Sequence, residues 1–147
     1  MSRLFTVVPI ADAQNDNITL TACVGFVALS EQPDKFVVIK NKRGWDIPGG
    51  HIESGEEPYE AFQREVLEES GCELLQAQPT VILASNKNRG TGILVYRAVC
   101  KLSDFVPTDE ISEVRLVTHD ELIDMYFGDK ELISELFSLS DKGALDK

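Results

Sequence analysis

A chain of 147 residues with 43% apolar side chains is sized for one domain with a real core, and no apolar run in it approaches membrane-spanning length. Its formal charge of −11 excludes non-specific binding to nucleic-acid backbones, which needs a positive face, and opposes a phosphate-bearing small substrate unless metal ions reverse the local field. Three widely spaced cysteines without a CxxC pair (Cys23, Cys72, Cys100) and only two histidines, His51 and His119, favour reduced thiols in the cytoplasm over disulfides, a zinc site or a His-rich metal centre.

The N-terminus, MSRLFTVVPIADAQ, lacks the long apolar run and cleavage site of a signal peptide. Residues 4–10 read as a strand, with Pro9 marking an edge or an end; 11–17 are a turn-rich connector. A long strand is expected over 19–30, where Gly25 signals a bulge or a close backbone approach. A hairpin loop over 31–35 returns into a strand over 36–40. The polar turn 41–44 carries Lys42 and Arg43 just ahead of WDIPGG (45–50). Alone, Pro48-Gly49-Gly50 is a tight turn whose glycines let the backbone approach a ligand.

Pro58 suits a first helical position and Gly71 the residue just past a helix end, with good helix formers between. At 100° per residue, Tyr59, Phe62 and Val66 share a flank suited to a core. Glu65, Glu68 and Glu69 sit at i, i+3 and i+4, so three carboxylates project from a neighbouring face, where Ala61 leaves room for a ligand. Glutamates on a helix are ordinarily a solvated face. Three at this spacing without interleaved lysines repel, and a divalent cation is the natural compensation; hard oxygen ligands favour Mg²⁺ or Mn²⁺.

Downstream, 73–79 reads as a connector, 80–85 as a strand, and 86–92 as a hairpin turn carrying Lys87 and Arg89. A second long strand spans 93–102, and a loop over 105–113 enters a strand at 114–117. Thr118-His119-Asp120-Glu121 matches a capping box. Gly128 interrupts that helix and Asp129 caps a restart, whose Leu132, Ile133, Leu136 and Phe137 form a docking stripe. A frayed tail is expected over 138–147. Periodicity alone reaches α+β or α/β with a mixed sheet.

Residues 50–72, GHIESGEEPYEAFQREVLEESGC, resemble the Nudix box: glycine, five residues, glutamate, seven residues, Arg-Glu-aliphatic, one residue, Glu-Glu, one residue, Gly-aliphatic. Every fixed polar and glycine position is filled; only the last aliphatic is replaced, by Cys72, which behaves as a small hydrophobe. The resemblance implies a single Nudix domain over 1–147, an α/β/α sandwich around a mixed sheet, and metal-dependent hydrolysis of a phosphoanhydride in a nucleoside diphosphate linked to another group. It implies Glu65, Glu68 and Glu69 as metal ligands, a metal-facing carbonyl at Gly50, and a Glu56–Arg64 pair holding the corner between loop and helix.

By the same resemblance the general base stays open between a box glutamate (Glu65, Glu68) and an acid on the later loop, where Glu110 ranks first as added ligand or base and Glu113 reads equally as a structural or capping carboxylate. Arg64 orients a neighbouring carboxylate. Lys42, Arg43, Lys87 and Arg89 are candidate phosphate contacts, Trp45 reads as packing, and His51 and His119 lack triad context. Residue patterns that mark dinucleoside polyphosphate, ADP-ribose and NADH hydrolases within the family are absent, so the substrate is unassigned beyond a weak preference for nucleoside triphosphates. The alternative is a nucleotide-sensing module without turnover, although no box glutamate is lost. A calcium protein has no support, since no EF-hand loop is present. Homodimers are common in the family.

Overall fold

The structure, a computed structural model, describes residues 4–10 and 17–145, the last four of these as backbone only. The connector expected over 11–17 falls outside this description except for Asn17. One mixed sheet organises the fold. Its strands are β1 (Phe5–Pro9), β2 (Thr19–Leu29), β3 (Phe36–Asn41), β4 (Gly44–Asp46), β5 (Gly49–His51), β6 (Glu73–Ser85), β7 (Thr91–Lys101) and β8 (Glu113–Val117). The order is β1-β6-β7-β2-β3-β4, with β5 also on β2 and β8 on β3. Among the described strands only β2 and β7 run parallel, aligned from Thr19↔Thr91 to Leu29↔Cys100; the other pairs are antiparallel.

Alternation along the central strands sorts side chains onto two dry faces. Cys23 and Val27 of β2, Val37 of β3, and Leu94, Tyr96, Ala98 and Cys100 of β7 point to one face. There they meet helix α1 (Pro58–Ser70) through Ala61, Phe62 and Val66, all fully buried. Phe26, Ala28, Phe36, Val38 and Val95 point to the other. There they meet α2 (His119–Met125) and α3 (Lys130–Leu145) through Leu122, Ile133 and Leu136. The result is the expected α/β/α sandwich.

Several local expectations need correcting. The segment 73–79 is not a connector but the first half of β6. The strand accommodates Pro79, opposite Tyr96, next to a register irregularity between Pro79 and Val81. Gly25 is a close approach rather than a bulge: a Cβ there would lie 2.5 Å from Cζ of Phe62, and the irregularity in β2 falls between Leu20 and Ala22. Tyr59 lies at the rim, 38% exposed. Ala61, expected to leave space beside the glutamates, faces the core instead. The tail expected from Ser138 is helical to Leu145, because Ser140 is fully buried and its hydroxyl meets that of Thr80 at 2.9 Å.

Candidate active site

Helix α1 starts and stops where its sequence requires. Pro58 occupies its first turn, the Glu60 carboxylate accepts from the Glu57 N–H (3.0 Å), and Gly71 closes the end at φ 72°, donating to the Leu67 carbonyl. A Cβ at Gly71 would lie 2.5 Å from the Asp104 carbonyl oxygen, so glycine there also lets the 104–105 loop reach the helix end. These two boundaries fix which way Glu65, Glu68 and Glu69 project.

Strand β5 brings backbone to those carboxylates. The Gly49 N–H donates to Glu69 Oε1 at 2.8 Å. A Cβ on Gly50 would lie 2.5 Å from Glu65 Cδ, so the Glu65 carboxylate rests in a cradle only glycine can provide. The Gly50 carbonyl accepts weakly from the Cys23 thiol at 3.8 Å. Arg64 locks the corner: Nε and Nη2 grip the two Glu56 oxygens at 2.9 and 3.0 Å, Nη1 donates to Glu65 at 2.7 Å, and Nη2 also donates to the His51 carbonyl at 3.1 Å. Glu68 is looser, 3.4 Å from Arg64 and 59% exposed. The Arg64 hydrogen bonds hold Glu56 below the usual carboxylate range, and Glu56 and Glu65 in turn hold Arg64 above its usual value.

Burial pushes Glu69 up to about 8 against the opposing pull of the Gly49 N–H, with Glu65, Asp46 and Glu110 adding repulsion. Burial raises Glu65 as well, although Arg64 lowers it. Two partly buried carboxylates thus lie beside β5, one held by the Arg64 guanidinium and the other by the Gly49 N–H.

Two cavities meet here. One, of ≈ 400 Å³, is lined by Glu65, Glu68, Glu69 and the loop 108–111, which includes Glu110. In that loop the Thr108 hydroxyl accepts from the backbone N–H groups of Glu110 and Ile111. The other, of ≈ 330 Å³, shares Glu69, Glu110 and Ile111 and continues to Asn41, Lys42 and Arg43. Lys87 lines a separate cavity with His51, Thr21 and Phe5; Arg89 lines none of these, and Glu113 turns to Arg115 at 2.9 Å. The fold therefore gathers Glu65, Glu68, Glu69, Glu110, Lys42 and Arg43 and sets Lys87 and Arg89 aside. Trp45 packs between Lys40 and Arg115, at 5.8 and 4.8 Å from its ring.

Sequence reasoning gave Asp46 no role. It is largely buried, accepts from Arg43 (3.1 Å), Asn41 (3.3 Å) and the Ile47 N–H (2.8 Å), and is raised by burial. An acid three residues after Arg43 across a turn is the signal that points to it.

Among the described residues, no three His, Cys, Asp or Glu side chains converge tightly enough to hold an ion as they stand. Arg64 and the Gly49 N–H each engage one oxygen of the inner carboxylates. The donor set nevertheless suits a hard divalent cation: only carboxylate and carbonyl oxygens, two carboxylates raised by burial, the Gly50 cradle, and an exposed Glu68 able to swing in.

An α/β/α sandwich with a loop–helix corner of this kind defines a class, and comparison with known proteins specifies it. The NUDIX domain model matches residues 19–136, and the chain belongs to the Nudix hydrolase family. Similar solved structures include a pyrophosphohydrolase of Bacillus subtilis, with TM-score 0.73, 18% identity, and coverage of 97% of this chain and 91% of that one. A MutT from a study of Aliivibrio salmonicida and Vibrio cholerae has TM-score 0.61, 18% identity and coverage of 84% and 99%. A Nudix hydrolase of Nitrosomonas europaea has TM-score 0.58, 24% identity and coverage of 86% and 90%. At these identities the likeness is one of fold. No described helix is long and apolar enough to cross a membrane.

Proposed function

We propose that this chain is a Mg²⁺- or Mn²⁺-dependent pyrophosphohydrolase acting on a small nucleotide: a nucleoside diphosphate linked to another group, which in a nucleoside triphosphate is a further phosphate. The observation that carries the reading is the delivery of Glu65 and Glu69 to the Gly49-Gly50 backbone, both raised by burial and by neighbouring carboxylates. A bound divalent cation would screen phosphate charge and lower the pKa of an attacking water.

The chain's own residues would hold and aim. Glu65, Glu68 and Glu69 supply carboxylate oxygens, the Gly50 carbonyl an uncharged one, and Glu110 a further carboxylate from the facing loop. Arg64, fixed by Glu56, keeps Glu65 from rotating away. Glu65, Glu68 and Glu110 are the candidate proton acceptors for the water. Lys42 and Arg43 would contact phosphate from the adjoining cavity, and Lys87 and Arg89 would do so only from outside it. The three described cysteines are free and buried, as suits a reducing cytoplasm.

The test is phosphate release from a nucleotide panel with Mg²⁺, with and without added pyrophosphatase, in the parent, Glu68→Gln and Glu69→Gln proteins. Turnover in the parent and its near-abolition in both variants, with folding intact, support the reading. Equal rates in all three exclude it.

A further inference from the structure

Residues lining the two joined cavities divide by charge. Glu65, Glu68, Glu69, Asp109 and Glu110 crowd one end, while Lys42 and Arg43 are the only cations among the lining residues and stand at the other. Arg43 is exposed yet held. Its side chain is 65% accessible, but Nη2 is tied to Asp46 at 3.1 Å, and the guanidinium lies 5.1 Å over the Phe127 ring. The turn beneath it is braced from both sides: the Arg43 N–H donates to Asn41 Oδ1 (2.9 Å), Asn41 Nδ2 donates to Asp46 (3.3 Å), and the Phe127 N–H donates to the Trp45 carbonyl (2.9 Å). At Gly44, φ is 132° and a Cβ would lie 3.2 Å from that of Phe127, so a side chain there would be strained and would press on the ring beneath Arg43.

An ordinary surface arginine is mobile and solvated. This one is fixed by an acid, a ring and a turn, with several of its five N–H donors still facing solvent. In a protein of charge −11, fixing an exposed cation at the mouth of an acidic groove serves an anion reaching past the carboxylates. A terminal phosphate fits, with a charge of about −1.5 to −2 and three acceptor oxygens. The sugar of a diphosphate–sugar conjugate would place neutral hydroxyls against the same donors.

We propose that Arg43, positioned by Asp46 and Phe127 and assisted by Lys42, anchors the terminal phosphate of a polyphosphate chain, which makes the substrate a nucleoside triphosphate or another 5′-triphosphate. This rests on the pyrophosphohydrolase reading and narrows its substrate class.

Steady-state kinetics with a nucleoside triphosphate and with ADP-ribose test it, together with calorimetric binding of inorganic tripolyphosphate in Mg²⁺. The parent should favour the triphosphate. Arg43→Ala should raise KM for the triphosphate and Kd for tripolyphosphate by about ten- to a hundredfold, the range for a charge-assisted hydrogen bond. It should shift KM for ADP-ribose, which lacks the terminal phosphate, by a clearly smaller factor than KM for the triphosphate. Arg43→Lys should recover part of the loss, and Lys42→Ala should show a smaller shift of the same kind. Lys42→Ala carries the test if circular dichroism shows Arg43→Ala misfolded.

Preference for ADP-ribose, equal KM shifts on both substrates, or an unchanged tripolyphosphate Kd overturns the inference while leaving the hydrolase intact. If neither substrate turns over, tripolyphosphate binding still decides whether Arg43 anchors phosphate.

Discussion

Helices α1 and α3 dock on opposite faces of one sheet by the same physics, yet only α1 brings a cluster of carboxylates to a cavity. Each buries an apolar stripe: Ala61, Phe62 and Val66 on one side, Ile133 and Leu136 on the other. Helix α3 spends its polar contacts on fastening. Ser140 meets Thr80, and Asp141 approaches Arg97, whose guanidinium stacks 4.9 and 4.6 Å from the rings of Phe36 and Phe137. Helix α1 also fastens a corner, through Arg64 to Glu56 and the His51 carbonyl, but it sets Glu65, Glu68 and Glu69 close together beside Gly49 and Gly50. Packing explains why both helices exist. Three carboxylates sharing one guanidinium and the Gly49 N–H are what distinguish α1 from α3.

The sharpest way to break that contrast is to neutralise α1. Glu69→Gln should lower kcat by about a thousandfold, roughly 4 kcal/mol of transition-state stabilisation. The metal-free melting temperature should hold or rise, because repulsion is relieved. Loss of fold rather than rate would make Glu69 structural. The converse change on α3, Ile133→Ala, should cost about 2–5 kcal/mol in denaturant unfolding while the folded fraction keeps its kcat. A collapse of kcat at full stability would blur the contrast.

Gly50→Ala tests the cradle. Its Cβ must displace the Glu65 carboxylate, and a misplacement of about 1 Å costs on the order of a hundredfold in rate. Activity near that of the parent would show that Glu65 need not lie there.

The same carboxylates should also give a pH dependence. The folded-state value of Glu69, about 8, lies above the ordinary glutamate value of 4.5. Its contribution to stability is therefore fully present below about 4.5 and is lost as pH rises through 8. Metal-free protein should lose stability between those limits, through this group, and Mg²⁺ should restore more of it at the alkaline end. The Glu69→Gln protein should show a flatter profile. A parent and variant with parallel profiles would remove Glu69 from the account.

Much of this was legible in the sequence because local signals settled it. Pro58 and Gly71 bracket α1 to the residue, and the capping box at Thr118 and the restart at Asp129 mark α2 and α3 equally well. Where tertiary pairing overruled a local signal, reading failed. Pro79 and the polar Gln76–Gln78 run suggested a connector, but pairing with β7 holds them in a strand. Ser138 and its polar neighbours suggested fraying, but burial of Ser140 holds the helix on the sheet. In the site, spacing on one helix placed Glu65, Glu68 and Glu69 together. No spacing rule separates Lys42 and Arg43 from Lys87 and Arg89, because which turn faces the carboxylates depends on strand order. Asp46 escaped notice for a related reason: its importance lies in burial beneath Arg43, and burial is not written in a single residue.

The most direct test of the central claim is calorimetric titration of the metal-free protein with Mn²⁺, repeated on Glu69→Gln. The parent should bind, and the variant should bind at least about tenfold more weakly with its fold unchanged. Equal affinity in the two proteins would mean that the carboxylates of α1 do not hold the metal.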